Sequence, residues 1–292
     1  MNPNYLSPLS IKIIFLTAVT HALAVYPFFR LDDISPALWA WFIFWYTFSS
    51  LGVTVGLHRY FTHKSFKTGR WTKIVLGFMG MTSLRGGIDF WVGLHRSHHK
   101  HADRTDDTAP LDPYNAGLGF WHGYLGWALT ISDKDAFVAR FKKFAPDISA
   151  DPDLWFFNIR SMDLYFNLVL GAASYALFGF LGLALILGLR LTLMHQAVYL
   201  TNSIGHGHGW LNYRNFKRND LSSNNFFLAF LAWGDGWHNN HHAFPTSAKN
   251  GARFWEFDPS HWFITALEQL GLAYDVNRSL PELKGFEKVQ EA

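Results

Sequence analysis

The sequence predicts an all-α integral membrane protein, with four transmembrane helices in two hairpins and a helical cytosolic cap. Long apolar runs alternate with polar, charged segments, as in a chain that crosses a bilayer repeatedly. Three histidine clusters, in residues 58–63, 95–99 and 238–242, lie at or beyond the ends of those runs. Lysine and arginine concentrate in the segments between the runs. These observations predict a histidine-rich metal site at one face of the membrane.

The composition supports a protein with a membrane part and a polar part. Of the 292 residues, 49% are hydrophobic, 18% are aromatic and 16% are charged. The absence of cysteine excludes disulfides, thiolate metal sites, iron–sulfur clusters and cysteine nucleophiles. The formal net charge is +3, and the sequence contains no basic run of the kind that binds nucleic acid. We therefore expect a lipid bilayer, and no nucleic acid, among its partners.

Residues 1–57 are predicted to form the first transmembrane hairpin. Residues 13–29 are just long enough to span the hydrocarbon core, and residues 36–57 are amply long. A short polar turn at residues 30–35 joins them. A cleaved signal peptide is the alternative, but no small-x-small cleavage site follows and a second apolar run begins at once.

Residues 163–205 are predicted to form the second hairpin. No charged residue occurs between residues 164 and 189, and apolar residues continue beyond Arg190 to residue 201. Because this stretch is too long for one crossing, we divide it near residues 178–182, which contain two glycines. A charge inside a span is costly, so Arg190 is expected to reach water, a carboxylate or a lipid headgroup.

The remaining segments are predicted to be cytosolic. Residues 58–162 carry 14 lysines and arginines and residues 206–292 carry 8, and positive charge is typical of loops that stay in the cytosol. Within residues 58–162, the apolar stretch 74–84 is too short to span and is expected to be an interfacial or re-entrant segment, and residues 117–131 are expected to form a second interfacial helix. Residues 206–292 form the predicted cap.

The spacing of the histidines favours convergence on a metal. On a helix with 100° per residue, His95 and His99 lie about 40° apart, and His98 lies about 60° to the other side of His95. The cluster at residues 238–242 repeats this spacing. His58 and His63 lie about 140° apart on a regular helix and instead suit a helix end that unwinds. One isolated pair would be ordinary, but three clusters in one chain indicate a metal centre, since imidazole binds first-row metals.

The order H-x4-H, H-x2-H-H, H-x2-H-H resembles the membrane fatty acyl desaturases, most closely the Δ9 branch of stearoyl-CoA and bacterial acyl-lipid enzymes. The resemblance runs from about residue 40 to residue 275. Residues 202–206, Asn-Ser-Ile-Gly-His, match a family motif at the end of its fourth span. Residues 234–242, Gly-Asp-Gly-Trp-His-Asn-Asn-His-His, match its third histidine box.

The resemblance implies that nine histidines bind two iron ions, which use O2 as co-substrate. The implied ligands are His58, His63, His95, His98, His99, His206, His238, His241 and His242. It also implies that Asn202 reaches the metal through water. Carboxylates are expected to hold the imidazole N–H groups. Asp235 lies inside the third box, and Asp103, Asp106 and Asp107 follow the second box.

The resemblance further implies five residues that contact the acyl chain. Tyr46 and Ser50 correspond to the closed methyl end of the family's acyl tunnel, and Arg85, Trp91 and Val198 correspond to its bend. With Tyr46 kept and a serine at position 50, we expect a palmitoyl or stearoyl chain; the alternative is that Tyr46 only faces lipid.

The chain departs from the stearoyl-CoA enzymes in three places that bear on the substrate. Their Arg-Asp pair before the second box is replaced by Gly93 and Leu94, which weakens the case for CoA and leaves glycerolipid and acyl carrier protein open. Arg85 stands in place of Gln and Val198 in place of Thr, so the double-bond position stays open.

The activity implied is oxygen-dependent insertion of a cis Δ9 double bond into a saturated acyl chain. No cofactor motif for electron supply occurs in the chain, so the electrons should come from a donor such as ferredoxin or cytochrome b5. The alternatives are a diiron hydroxylase or acetylenase and, more remotely, a histidine-rich metal transporter. The histidine boxes are expected on the cytosolic face of a bacterial inner or cyanobacterial membrane.

Overall fold

The computed structural model describes residues 6–284 and the backbone of residues 290–291. The end of the predicted cap therefore lies partly outside the described residues. The described part is mostly helical. Its α-helices are α1 (Pro8–Val25), α2 (Pro36–Leu51), α3 (Arg70–Met81), α4 (Ile88–His101), α5 (Phe120–Tyr124), α6 (Lys134–Lys142), α7 (Pro146–Ser149), α8 (Met162–Leu183), α9 (Leu191–Ser203), α10 (Phe226–Leu231), α11 (His238–Ala243) and α12 (Pro259–Gln269).

Two π-helices, several 3₁₀ turns and four short strands complete the regular structure of the described residues. The first π-helix (Gly52–Thr62) continues α2, and the second (Ala184–Arg190) joins α8 to α9. The strands are β1 (Lys67–Thr68), β2 (Phe216–Lys217), β3 (Ala273–Tyr274) and β4 (Gln290–Glu291). β1 pairs antiparallel with β3, and β2 pairs parallel with β4. These two-residue strands fasten segments of the polar part to one another and form no larger sheet.

The described residues contain three helical stretches that are long and apolar enough to cross a membrane. They are Pro8–Phe29, Pro36–Thr62 and Met162–His206. The first two begin alike: Ser7 and Ser35 cap the backbone N–H groups of Ser10 and Leu38, and a proline follows each cap. The structure thus confirms a mostly helical protein with helical stretches long and apolar enough to span a membrane.

The third of these helices folds back on itself. Gly179 has φ 65° and ψ −159°, a conformation that breaks the helix and that glycine tolerates. A Cβ atom on Gly171 would lie 2.4 Å from Leu187 Cδ1. Sixteen residues of straight helix would separate these positions by about 24 Å. The chain therefore reverses near Gly179, inside the segment where the sequence predicts a break.

The contacts of Arg190 differ from the water, carboxylate or lipid headgroup expected from its sequence position. Its guanidinium is fully buried and donates to four uncharged oxygens. They are Ile186 O at 3.0 Å and Ser49 Oγ, Thr82 O and Asn167 Oδ1 at 2.6 Å each. The acceptors come from four different helical segments or their ends, so polar side chains and helix-end carbonyls take the place of water or a carboxylate.

The interfacial helix expected at residues 117–131 is divided into short pieces. A 3₁₀ turn (Ala116–Leu118), helix α5 and a second 3₁₀ turn (Gly126–Thr130) occupy it. Gly119 has φ 108° and Leu125 has φ −149°, and both values lie outside the helical region. The other expected interfacial segment, residues 74–84, is largely helical because it lies mostly within α3.

Close packing of α3 against the first π-helix supports the histidine-bearing end of that helix. A Cβ atom on Gly52 would lie 2.3 Å from the backbone carbon of Met79, so a side chain there would separate the two helices. A large buried cluster that includes Leu57, Leu76 and Met79 surrounds this contact. The site is thus built on a closely packed part of the molecule.

Candidate metal centre

The structure brings all nine predicted ligand histidines together in two neighbouring groups. Within each group the potential ligand atoms lie within 4.8 Å of one another. The first group, called group one, contains His58, His63, His95, His99 and His241. The second, called group two, contains His98, His206, His238 and His242. His98 and His99 are adjacent in sequence, with ring centroids 5.6 Å apart, so the two groups lie side by side.

The first π-helix explains how His58 and His63 reach one point. The backbone N–H of His63 donates to His58 O at 3.1 Å, which is the hydrogen bond of a π-helical turn. This wider turn brings residues five apart onto one side, and the two ring centroids lie 4.9 Å apart. The unwound helix end expected from the sequence is therefore a π-helix.

Helices α4 and α11 divide their histidines between the groups. In α4, His95 and His99 face group one while His98 faces group two, as their angular positions on the helix require. In α11, His241 faces group one, and His238 and His242 face group two. His206 joins group two from the 3₁₀ turn that ends α9.

The nitrogen distances fit a shared metal ion in each group. In group one, His241 Nε2 lies 2.9 Å from His58 Nε2 and 3.0 Å from His99 Nε2. In group two, His206 Nε2 lies 2.9 Å from His238 Nε2. Two imidazole nitrogens bound at about 2.1 Å and at right angles to one ion lie about 3 Å apart. Two further buried ring nitrogens, His98 Nε2 and His242 Nε2, have no hydrogen-bond partner among the described residues.

Carboxylates orient four of these imidazoles through their Nδ1–H groups. His58 donates to Asp235 at 2.8 Å and His98 to Asp112 at 2.8 Å. His206 donates to Asp103 at 2.6 Å and His242 to Asp220 at 3.4 Å. A hydrogen bond at Nδ1 fixes the tautomer and leaves Nε2 free to bind a metal.

Sequence reasoning found only part of this carboxylate set. Asp235 and Asp103 contact the predicted ligands, whereas Asp106 accepts hydrogen bonds from Thr108 on the surface and Asp107 is exposed. Asp112 and Asp220 were not predicted. Neither aspartate forms a recognisable sequence motif with its histidine. The only available signal was that each imidazole needs an acceptor for its Nδ1–H, which indicates that more carboxylates are required.

The site keeps most of its imidazoles neutral. Burial lowers the pKa of His95, His99 and His241 well below 6.5, and neighbouring imidazoles lower it further. Burial lowers the pKa of His242 to about 4, although Asp220 opposes this change. Neutral imidazole is the form that binds metal, so the cluster is ready to bind at physiological pH.

Buried polar side chains hold the elements of the site in place. Arg59 donates to Asp235 Oδ1 at 2.9 Å, to Asp258 Oδ2 at 3.0 Å and to Ala248 O at 2.8 Å. Burial disfavours ionisation of Asp235, but His58 and Arg59 outweigh it and lower the pKa of this carboxyl. One arginine thus links the first π-helix to the two segments that flank α11.

A cavity, called the first cavity, lies against both histidine groups. Its lining includes His58 and His95 from group one and His238 from group two. Among the predicted substrate residues, Ser50, Trp91 and Val198 line it. Asn202 also lines it, and among the described residues its buried Nδ2 atom has no hydrogen-bond partner.

Two predicted substrate residues lie outside the first cavity. Tyr46 packs against Trp233, which lines the cavity, with ring centroids 6.2 Å apart. Tyr46 is therefore partly buried against protein. Arg85 lines a separate, adjoining cavity.

The remaining histidines belong to neither group. His21 Nδ1 donates to Thr17 O and its Nε2 accepts from Gln196 Nε2, His101 contacts Ser97 O, and His208 contacts Ala116 O. The others are His122, His195 and His261. Structural packing accounts for the contacts of the first three.

We expect Asp220→Asn to weaken metal binding at group two by about 10–100-fold, since the neutral amide no longer holds the tautomer of His242. Asp106→Asn is the matched control, because Asp106 lies on the surface and is not a partner of either group. Metal titration of the purified apo-proteins measures the two affinities. Equal affinities in the two variants would contradict the role assigned to Asp220.

Comparisons with known proteins agree with this arrangement. The sequence profile described as fatty acid desaturase matches residues 34–277. The chain is 34% identical to an sn-2 palmitoyl-lipid 9-desaturase from Nostoc sp. (strain 36), over 93% of this chain and 91% of the relative. It is 37% identical to an sn-1 stearoyl-lipid 9-desaturase from Anabaena variabilis, over 80% and 81%. It is also 33% identical to an icosanoyl-CoA 5-desaturase from Limnanthes douglasii, over 88% and 69%.

Proposed function

This chain belongs to the fatty acid desaturase family and is therefore an oxidoreductase that acts on fatty acyl chains, and we propose that it inserts a cis double bond at the Δ9 position of a saturated chain. The observation that carries the proposal is the first cavity, since histidines of both groups line it together with apolar side chains. The names of the cyanobacterial relatives support the Δ9 position.

We propose that each histidine group holds one iron ion, with Asn202 reaching the metal through water. When bound, the iron pair supplies the activation of dioxygen and the removal of hydrogen from an unactivated methylene, which no side chain can perform. The two histidine groups lie side by side and border one cavity, which supports one centre with two metal ions over two independent sites.

The protein's own residues orient the imidazole ligands and the acyl chain. Asp103, Asp112, Asp220 and Asp235 hold the Nδ1–H groups of four ligands, so that each Nε2 lone pair points toward its group. The apolar wall of the first cavity, which includes Val53 and Met194, excludes water and presents the methylene groups to be oxidised.

Contacts at the first cavity support the substrate residues implied by the family. Ser50 lies beside Met194, with its hydroxyl donating to the sulfur at 3.2 Å, and we propose that this end receives the methyl terminus. Tyr46, which lies behind Trp233, would form the outer part of this closed end. Trp91 and Val198 would line the bend of the chain. A palmitoyl or stearoyl chain is the proposed length.

We propose four membrane crossings in two hairpins, with residues 1–57 and 163–205 as the hairpins. The reversal at Gly179 supports two crossings within Met162–His206. Residues 58–162 and 206–292 would then lie together in the cytosol, in agreement with their positive charge. A bacterial inner or cyanobacterial membrane is the proposed location.

Reducing oxygen to water takes two more electrons than the acyl chain gives up with its two hydrogens. Two electrons per double bond must therefore come from outside this protein. We propose a small one-electron carrier, a ferredoxin or cytochrome b5, as the donor. The cytosolic segments carry most of the lysines and arginines, which favours a donor with an acidic surface.

Expression in a host that lacks Δ9 desaturation tests the proposal. Gas chromatography of the total fatty acids should show cis-9 hexadecenoate or octadecenoate, dependent on oxygen. A hydroxy acid or an alkyne without an alkene would instead identify a hydroxylase or acetylenase. Metal flux without an oxygen-dependent product would indicate a transporter.

A further inference from the structure

We propose that α10 lies at the membrane interface, with its exposed phenylalanines among the acyl chains of one leaflet. This short helix (Phe226–Leu231) belongs to residues 206–292, a segment that carries no transmembrane crossing and that its positive charge places in the cytosol. The partner is the lipid bilayer, and the contact is additional to the transmembrane helices. Part of the cap is thus inserted in the membrane.

Three phenylalanines of α10 form an exposed apolar surface, called the phenylalanine patch. Phe226, Phe227 and Phe230 are 49%, 65% and 75% exposed. On a helix with 100° per residue they lie within an arc of about 100°, so they share one side. Leu228 and Ala229, between them in sequence, are buried. Single exposed apolar residues are ordinary, whereas a contiguous group of large ones indicates an interaction surface.

The chain around the phenylalanine patch carries no charge. Residues 221–234 contain no lysine, arginine, histidine, aspartate or glutamate. Asn225, which caps α10, also donates to Trp210 O at 3.3 Å and so holds a second exposed apolar segment beside the helix. In that segment Trp210 is 84% exposed and Leu211 is 57% exposed. Uncharged surface rich in tryptophan and phenylalanine is typical of a membrane interface.

Contacts on the inner side of α10 place it beside the membrane-spanning stretches. The helix packs against α9, which is part of Met162–His206. Trp233, two residues after α10, packs against Tyr46 with ring centroids 6.2 Å apart. Tyr46 lies near the middle of the 27-residue stretch Pro36–Thr62. The end of α10 therefore lies alongside the apolar part of this stretch, where lipid is the surrounding medium.

The outer surface of α2 is also apolar at this level. Ile43, about one turn before Tyr46, is 57% exposed, and Phe44 is 55% exposed. A bilayer covers these residues and the phenylalanine patch together. A partner protein seated on α10 alone would leave the α2 residues without cover, so the observations favour lipid as the occupant.

This position makes α10 part of the wall between the first cavity and the bilayer. Leu231, Ala232 and Trp233, at the end of α10 and just after it, line the first cavity. The phenylalanine patch lies on the exposed side of the same short segment. The lipid leaflet therefore supports one wall of the cavity from outside.

Site-directed spin labelling tests the proposal, because the sequence contains no cysteine that would compete for the label. Phe227→Cys and Phe230→Cys are labelled separately in the full-length protein and reconstituted in phosphatidylcholine and phosphatidylglycerol vesicles. Phe15→Cys on α1, at a position that is 63% exposed, is the control expected in lipid. Asp106→Cys, at an exposed position in a polar segment, is the control expected in water. Power saturation with oxygen and with a water-soluble nickel chelate measures the exposure of each label to lipid and to water.

We expect labels at positions 227 and 230 to prefer oxygen, as at position 15, and to lie about 5–10 Å into the boundary between headgroups and acyl chains. The label at position 106 should prefer the nickel chelate. A preference for nickel at both patch positions would overturn the membrane contact. Each labelled protein should elute as the wild type does in size-exclusion chromatography, and the use of two positions separates a local disturbance from a property of the patch.

A dilution experiment distinguishes lipid from a second copy of this chain. Labelled Phe227→Cys protein is reconstituted alone and with an excess of unlabelled wild type, and we expect the same spectrum in both samples. Spin–spin broadening that disappears on dilution would place another copy on the phenylalanine patch and overturn the proposal. Because neither measurement requires iron, an electron donor or product, its result is independent of the proposed reaction.

Discussion

Replacing His98 by alanine is expected to lower desaturation by more than about 100-fold, since even the loss of a ligand's hydrogen-bond partner costs 10–100-fold. His98 belongs to group two, and its Nδ1–H is already held by Asp112, so its Nε2 atom is free for a metal. Its removal leaves group two with three imidazoles. We expect the purified variant to contain less iron than the wild type by elemental analysis.

His122→Ala is the control for this prediction. His122 is a histidine of the same chain that lies outside both groups and is only partly buried. It should keep wild-type iron content and product yield in the same expression host. Wild-type activity in His98→Ala, or an equal loss of iron in both variants, would contradict a metal role for His98.

Replacing Arg59 by methionine is expected to destabilise the protein by about 3–5 kcal/mol, because it leaves two buried carboxylates without their cation. Arg59 is fully buried and binds both Asp235 and Asp258. Since Asp235 also orients His58, the same change should weaken metal binding at group one. At roughly 2–4 °C per kcal/mol, the thermal midpoint should fall by at least about 6 °C.

Arg70→Met provides the matched comparison. The Arg70 side chain is 65% exposed and forms one ion pair, with Asp153, on the surface. Such pairs contribute at most about 1 kcal/mol. Thermal unfolding of both variants in the same detergent, with and without added iron, measures the difference. A similar midpoint for the two variants would show that Arg59 is dispensable.

The location of the long apolar helices and the local geometry of the histidine boxes were accessible from the sequence. Apolar length indicates membrane helices because every backbone polar group in a bilayer must be paired within the chain. The arrangement of His95, His98 and His99 on α4 follows from helix periodicity alone. The predicted break within residues 178–182 agrees with the reversal at Gly179, because glycine adopts a conformation that other residues avoid.

The tertiary structure decided which of these pieces meet. The division of nine histidines into two groups requires α4, α11, the first π-helix and the end of α9 to converge, and no local pattern specifies that convergence. The π-helical turn that joins His58 to His63 is supported by packing of Gly52 against Met79. The choice of Asp112 and Asp220 as imidazole partners, and of uncharged oxygens around Arg190, likewise followed from packing.

The physical reason for this division is the range over which each interaction acts. Backbone periodicity and the transfer of apolar side chains from water are set by neighbouring residues, so they can be read along the chain. Hydrogen bonds between distant carboxylates and imidazoles, and the cavities left between helices, exist only after close packing has fixed the backbone. The sequence by itself determined a membrane protein with imidazoles at helix ends, and the tertiary structure alone decided how they form two groups and which of them line a common cavity.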